Sequence, residues 1–291
     1  GIWNPTWFFL LLASLASLGD IPSALIIEFL TLTILYLCVL WLTDDSSQTL
    51  IALVLLSPLN LYVVNQMWLG QVDIVTTFSG ILLTILVARK ASHYIWYAGI
   101  ALVLLSLKPP SGIFVVLYIF WLIPFKKWWK MLIIPTVVGI FSLLFDFDLI
   151  IEFIAILQTR ILDSERVVWD VTILSVADYY DVNEYITTIA IILVMGWITY
   201  LWRKNEDSTD RIMLITILGL LINAYVGWHH LILLFGISVP LILRRSQHPL
   251  VIITLFLIGF LPLMRIFFTG VDILASLAVL FLITVLPHYQ K

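Results

Sequence analysis

Long apolar segments alternate with short polar ones along almost the whole chain. They lack the two-residue alternation of polar and apolar positions that is typical of a half-buried strand. Because a bilayer offers no hydrogen-bond partners, a spanning backbone must satisfy its own polar groups, and runs of this length favour helices. We therefore predict an all-α, polytopic membrane protein with about eleven transmembrane helices. The predicted segments lie at about Pro22 to Leu42, Thr49 to Val64, Val72 to Ala88, Tyr94 to Leu107, Gly112 to Pro124, Trp128 to Phe145, Tyr185 to Trp202, Arg211 to Val226, Leu231 to Leu243, Pro249 to Leu263 and Val271 to Leu286.

Several of these segments are shorter than the roughly 20 residues that a straight membrane helix needs. We therefore expect tilted or broken helices around a cavity. The first apolar run, which follows Trp3 and Trp7 and stops at Leu18, predicts a short interfacial or re-entrant helix anchored by aromatic side chains. The chain starts at Gly1 without a signal-peptide pattern, so we expect a fragment that lacks at least one upstream helix.

Composition supports the membrane class. Hydrophobic residues make up 62% of the 291 residues, charged residues make up 11%, and the mean hydropathy is +1.11. The single cysteine, Cys38, excludes a disulfide framework and a cysteine metal site. We predict one membrane domain over residues 1–291, with no separate soluble module.

The positions of the charges predict the topology. Eleven of the 15 basic residues lie in every second loop, and the positive-inside rule assigns these loops to the cytoplasmic face. The loops between them are then exterior. The eleven basic residues are Arg89, Lys90, Lys126, Lys127, Lys130, Arg203, Lys204, Arg211, Arg244, Arg245 and Lys291.

The longest predicted exterior loop covers residues 146–184 and holds nine of the 18 acidic residues. It also carries the aromatic residues Trp169 and Tyr179. Loops of this length are typically functional or disordered. Because apolar residues persist through it, we expect an ordered, partly helical loop; the alternative is a solvated acidic loop without a specific role.

Several polar residues lie in the other exterior loops. Gly70, Gln71 and Asp73 stand at the start of a predicted helix, where free N–H groups favour anions, although Gly70 and Asp73 also fit a plain turn and a first-turn carboxylate. Lys108 is an exception to the positive-inside trend and fits the neutralisation of an anionic ligand. Arg265 is a second exterior cation, as well suited to reaching the surface as to contacting a substrate.

Adjacent histidines, His229 and His230, follow Trp228 between two apolar runs. An ionisable pair at the end of a membrane helix is costly unless it meets a polar cavity or water, which favours a functional site. The alternative is that a histidine caps helix carbonyls or lies at the interface. We predict no metal site here, because neighbouring residues of a helix point in different directions and no nearby His or Cys completes a ligand set.

Five motifs occur in the same order in a known family. They are Trp3-Asn4-Pro5, Gly70-Gln71-Val72-Asp73, Leu107-Lys108-Pro109, Trp169-Asp170-Val171-Thr172-Ile173-Leu174-Ser175 and Gly227-Trp228-His229-His230. On these motifs the chain resembles glycosyltransferase family 87, the polyprenyl-phosphate-mannose-dependent α-mannosyltransferases of the GT-C superfamily. The resemblance implies a GT-C-like fold. The family usually has one residue between the Trp and the two His, whereas Trp228 directly precedes His229.

The resemblance implies transfer of a sugar, mannose, from a polyprenyl-phosphate-linked donor to a lipid or glycan acceptor at the exterior face of a prokaryotic plasma membrane. It assigns catalysis to His229 and His230, and donor phosphate binding to Lys108, Gly70 and Gln71. A second set of residues would line the substrate cavity: Asp73, Trp169, Asp170, Tyr179 and Trp228. The superfamily carries its catalytic Asp in the first exterior loop, so we expect the base upstream of Gly1. The resemblance implies membrane lipid as a further partner. It implies no cofactor, metal or nucleic acid.

Two other classes of protein remain alternatives. A secondary transporter or lipid flippase would have midplane charges and an inverted repeat, whereas the polar groups here cluster at one face. A purely structural membrane subunit would need neither the histidine pair nor Lys108.

Overall fold

The computed structural model describes residues 18–57, 59–68, 73–107, 109–145, 151, 155, 172–223, 230–265 and 267–286. Within these ranges the regular elements are helical and no strand is present, which confirms the all-α prediction. The helices are α1 (Asp20–Leu42), α2 (Ser46–Leu55), α3 (Leu61–Trp68), α4 (Ser79–Ala88), α5 (Tyr94–Ser106), α6 (Pro109–Leu122), α7 (Trp128–Phe145), α8 (Ile173–Tyr179), α9 (Glu184–Lys204), α10 (Ser208–Ile222), α11 (Leu231–Arg245), α12 (Pro249–Gly259), α13 (Leu261–Met264) and α14 (Ile273–Val285). A π-helical turn (Ile74–Phe78) leads into α4, and a 3₁₀ turn (Phe125–Lys127) leads into α7.

Three helices in the described part of the chain are long and apolar enough to cross a membrane: Ile21–Leu42, Phe125–Leu144 and Glu184–Lys204. Most of their surface is not covered by the protein; in α9, for example, Ile189, Ile192 and Leu193 are more than half exposed. Lipid is the environment that such side chains favour. Membrane-helix character is therefore confirmed, and the number of eleven spans stays a prediction. The predicted interfacial helix before Leu18 lies outside the described residues.

Helix α11 forms the centre of the fold. Every residue from Leu231 to Leu243 is buried. The helix contacts α1, α2, α3, the π-helical turn, α10, α12 and α14. Because the sequence of this helix is apolar on all sides, partners on all sides are needed to cover it.

The predicted segment Thr49 to Val64 is two helices, α2 and α3, rather than one. The sequence places Pro58, which has no N–H group to donate, near its middle. Asn60 satisfies the backbone at the break: its Nδ2 donates to the Leu55 carbonyl at 3.1 Å, and its Oδ1 accepts from the Tyr62 N–H at 2.9 Å. The segment is therefore a broken helix, one of the forms that its short length predicts.

The predicted segment Pro249 to Leu263 is also interrupted, after Gly259. Phe260 separates α12 from the short helix α13. Pro262 explains the break, since it cannot donate the backbone hydrogen bond that would continue α12.

The loops with the predicted cytoplasmic charges lie at one end of the fold. Contacts between them join different loops: Arg89 Nη2 donates to Thr209 Oγ1 at 2.8 Å, Arg244 Nε to Asp44 Oδ2 at 2.8 Å, and Arg245 Nη2 to Asp210 Oδ2 at 2.5 Å. These contacts thus join loops that the charge pattern assigns to one face, whereas Lys291 lies outside the described residues. Their assignment to the cytoplasm stays a prediction.

Arg245 holds three segments together at this end. Its side chain is 2% exposed, and it also bonds the Asn205 side chain and the Ile283 carbonyl. We expect Arg245→Gln to lower the free energy of unfolding by roughly 3–5 kcal/mol, because it leaves the Asp210 carboxylate without its cation. Denaturant unfolding in detergent, followed by circular dichroism, measures this. Arg203→Gln, at an exposed position of the same face, is the control; equal losses in both variants would contradict the assignment.

Candidate functional site

Asp73 stands immediately before the π-helical turn. The Phe78 N–H donates to the Asp73 carbonyl at 2.8 Å, so the first turn of this helix is wider than an α-helical turn. Such turns are rare and occur frequently at functional sites. The Asp73 side chain is fully buried. A buried carboxylate requires a compensating partner, because burial removes its hydration.

His230 supplies that partner from a distant part of the sequence. It directly precedes α11 and is 7% exposed. Its Nδ1 atom lies 3.3 Å from Asp73 Oδ2, which is an ion-pair distance when the imidazole is protonated. Two residues that the sequence analysis placed in separate exterior loops therefore form one buried pair.

A close helix contact brings the pair together. A Cβ atom added at Gly236 in α11 would lie 2.6 Å from the ring of Phe78 in the π-helical turn. The absence of a side chain at Gly236 therefore allows Phe78 to pack directly on the α11 backbone. Since the Phe78 N–H is bonded to the Asp73 carbonyl, this contact also ties the segment that carries Asp73 to α11.

A second buried cluster joins Tyr62, Arg265 and Asp272. The Tyr62 hydroxyl donates to Asp272 Oδ1 at 2.8 Å, and Arg265 Nε lies 3.0 Å from Asp272 Oδ2. Tyr62 and Asp272 are fully buried, and the Arg265 side chain is 11% exposed. The Arg265 side chain is therefore not extended into solvent. It is ion-paired to the buried carboxylate of Asp272.

The sequence analysis missed Tyr62 and Asp272. Both lie within predicted apolar segments. Tyr62 gave no signal there, because aromatic residues are common in such segments. Asp272 did carry a signal, because a carboxylate at the start of an apolar segment is costly and predicts a partner. The partner itself, Arg265, was recognised only as an exterior cation.

Helix α11 links the two clusters. His230 stands at its start, and five residues later the Phe235 ring stacks on Tyr62, with ring centroids 5.0 Å apart and planes at 23°. The other end of the same helix carries Arg244 and Arg245. A 15-residue helix is about 22 Å long. The Asp73–His230 pair and the basic loops therefore lie at opposite ends of α11.

Part of the predicted exterior loop packs near Asp272. Helix α8 lies within that loop, and Thr172 begins it by accepting from the Ser175 N–H at 3.1 Å. The Tyr180 hydroxyl donates to the Thr269 carbonyl at 3.0 Å. The expectation of a partly helical loop thus holds for this segment.

The structure brings Asp73 and His230 together, and the roles of all the predicted site residues stay predictions. Tyr179, the last residue of α8, is 52% exposed, and its ring meets the ring of Tyr180 edge-on. The remaining predicted residues lie outside the described part of the chain: Gly70, Gln71, Lys108, Trp169, Asp170, Trp228 and His229. Among the residues that the structure does describe, no group of three or more His, Cys, Asp or Glu could hold a metal ion.

Comparison with protein families gives a match to glycosyltransferase family 87 over residues 3–224. The chain belongs to glycosyltransferase family 87. This confirms the resemblance found in the sequence motifs, and family 87 membership makes the protein a membrane glycosyltransferase. No curated protein and no solved structure matches the chain. The family 87 match contains Asp73 but ends before His230, so the geometry alone connects the two residues.

Gly236 offers a test of how the site is assembled. We expect Gly236→Ala to lower the free energy of unfolding by about 1–3 kcal/mol, because the new methyl group displaces Phe78 and the turn that carries Asp73. Gly196→Ala in α9 is the matched control, since a Cβ there meets nothing within 4 Å, and it should be neutral or stabilise the helix by up to about 1 kcal/mol. Denaturant unfolding of both variants in detergent measures the difference, and a neutral Gly236→Ala would refute the close contact.

Proposed function

We propose that the protein transfers mannose from a polyprenyl-phosphate-linked donor to a hydroxyl group of a lipid or glycan acceptor. Family membership supports the transferase class and favours it over the transporter or flippase alternative. The observation that carries the site assignment is the buried Asp73–His230 pair at the end of α11 opposite the basic loops.

The topology of such a donor fits this arrangement. Its prenyl chain belongs in the bilayer, its phosphate at the interface and its sugar in water. Because the positive-inside rule makes the basic end of α11 cytoplasmic, the His230 end would be exterior. We propose a prokaryotic plasma membrane with the active site on that outer face.

The reaction exchanges one glycosidic bond for another. The acceptor oxygen attacks the anomeric carbon, the bond between that carbon and the phosphate oxygen breaks, and the polyprenyl phosphate leaves as an anion. The hydroxyl proton passes to a carboxylate base. Asp73 is not assigned that role, because its carboxylate is buried against His230.

His230 would stabilise the departing phosphate. Its Nδ1 atom faces Asp73 at 3.3 Å, and the imidazole would donate a hydrogen bond to a phosphate oxygen in the proposed complex. Asp73 would then orient the ring and balance its positive charge, as carboxylates do behind functional histidines. A charge-assisted hydrogen bond placed where negative charge develops is an effective form of electrostatic catalysis.

The remaining predicted residues complete the proposal. Lys108, Gly70 and Gln71 would add donors for the phosphate, and His229 would act beside His230. The other predicted residues would line the sugar cavity: Trp169, Asp170, Tyr179 and Trp228.

Sugar transfer by two variants tests the proposal. We expect His230→Ala to lower kcat/KM for polyprenyl-phosphate-mannose about a hundredfold or more. We expect Asp73→Asn, which keeps the shape but removes the charge, to lower kcat about ten- to a hundredfold. Radiolabelled mannose transfer in isolated membranes gives both values.

His248→Ala is the control, since His248 is an exposed histidine that begins α12 close to the basic end of α11. It should transfer mannose at close to the normal rate. Unchanged transfer by His230→Ala would overturn the site assignment. No transfer from this donor by the unaltered protein, with its folding verified, would overturn the donor assignment.

A further inference from the structure

Some cations at the basic end of the fold are paired with carboxylates of the protein, and others are not. Arg244 and Arg245 are paired with carboxylates of the protein itself. Lys126, Lys127 and Lys130 differ: their side chains are exposed, and within the described ranges no carboxylate lies within 4.0 Å of their ammonium groups. The positive charge of these lysines is therefore not neutralised by a carboxylate of the described residues.

The lysines stand beside a cavity of about 360 Å³ between the starts of α5 and α7. Tyr94, Trp96 and Trp129 form aromatic walls, and His93 and Lys130 supply the polar part of the lining. Cavities of this size accommodate small ligands or a lipid headgroup. The cavity is at the opposite end of the fold from the Asp73–His230 pair and is independent of the proposed reaction.

Packing holds the two sides of the cavity in place. A Cβ atom added at Gly99 in α5 would lie 2.7 Å from the Met131 carbonyl of α7, so the two backbones nearly touch one turn beyond the cavity. Lys127 Nζ donates to the Tyr94 hydroxyl at 2.8 Å. Lys130 Nζ lies 5.2 Å from the centre of the Trp129 ring. The lysine side chains are thus held against the aromatic walls.

The surroundings of the cavity are those of a membrane boundary. Trp129 is 63% exposed and Phe125 77% exposed, next to exposed lysines. Aromatic rings of this kind favour the headgroup level of a bilayer. Lysines near the same level attract anionic lipids. A free anion would neutralise the lysines, but it would leave the exposed rings of Trp129 and Phe125 uncovered.

We propose that this cavity binds an anionic glycerophospholipid. The headgroup phosphate contacts Lys127, Lys130 and His93, and the acyl chains follow the apolar surface of α5 and α7. Recognition rests on the combination of uncompensated cations with an aromatic wall, which a zwitterionic lipid satisfies less well because its own cation opposes the lysines.

Native mass spectrometry of the purified protein in a neutral detergent tests this. The protein is titrated with dioleoyl-phosphatidylglycerol and with dioleoyl-phosphatidylcholine, which differ only in the headgroup. We expect about tenfold tighter binding of phosphatidylglycerol, and we expect Lys127→Gln with Lys130→Gln to abolish most of this preference.

Two comparisons separate the cavity from general surface charge. Arg203→Gln with Lys204→Gln removes the same charge from the same end of the fold, away from the cavity, and should leave the preference unchanged. Trp129→Ala keeps every charge and should weaken phosphatidylglycerol binding several-fold. Unchanged thermal unfolding of each variant verifies that these exposed substitutions leave the fold intact.

Three results would overturn the proposal. The first is equal affinity for the two lipids. The second is an equal loss of preference in the two double variants, which would indicate diffuse charge rather than a site. The third is complete displacement of phosphatidylglycerol by millimolar inorganic phosphate, which would assign the cavity to a free anion.

Discussion

The burial of α11 on every side determines where the polar groups of this protein lie. A helix surrounded by other helices leaves room for charge only at its two ends. His230 stands at one end and Arg244 and Arg245 at the other, about 22 Å apart. The candidate site and the basic loops are thus fixed at opposite ends of the fold by the same apolar helix.

The cost of burying carboxylates then organises the His230 end. Asp73 and Asp272 are both fully buried, and each has a basic side chain at ion-pair distance, His230 in one case and Arg265 in the other. Removing either partner would leave a buried charge uncompensated, which is far more costly than losing an exposed ion pair. The two pairs therefore tie together loops that are far apart in the sequence, and the stack of Tyr62 on Phe235 connects the pairs to each other.

The positions of many helices were predictable from the sequence, because the length of an apolar run depends only on neighbouring residues. The predicted segment Trp128 to Phe145 matches α7 without error. The positions of the helix breaks were not predicted. They lie at Asn60 and before Pro262, and hydrophobicity alone does not locate such breaks. Whether a helix of this kind crosses the membrane whole or in two pieces depends on the hydrogen bonds at the break.

The site was predictable only in part. Asp73 and His230 were each identified as unusual polar residues, but their contact depends on the approach of Phe78 to Gly236, a tertiary feature that no spacing in the sequence reveals. Asp272 was missed because its partners, Tyr62 and Arg265, come from different segments. The distinction between basic residues with and without carboxylate partners likewise required the fold, since in the sequence all of them are simply basic loop residues.

The central claim is that Asp73 acts on the reaction through His230. The most direct measurement is a double-mutant cycle on mannose transfer with Asp73→Asn, His230→Ala and the combined variant. We expect strong non-additivity: once His230 is absent, replacing Asp73 lowers the rate little further. Losses that multiply independently in the combined variant would contradict it, because they would mean that the two residues do not act as a pair.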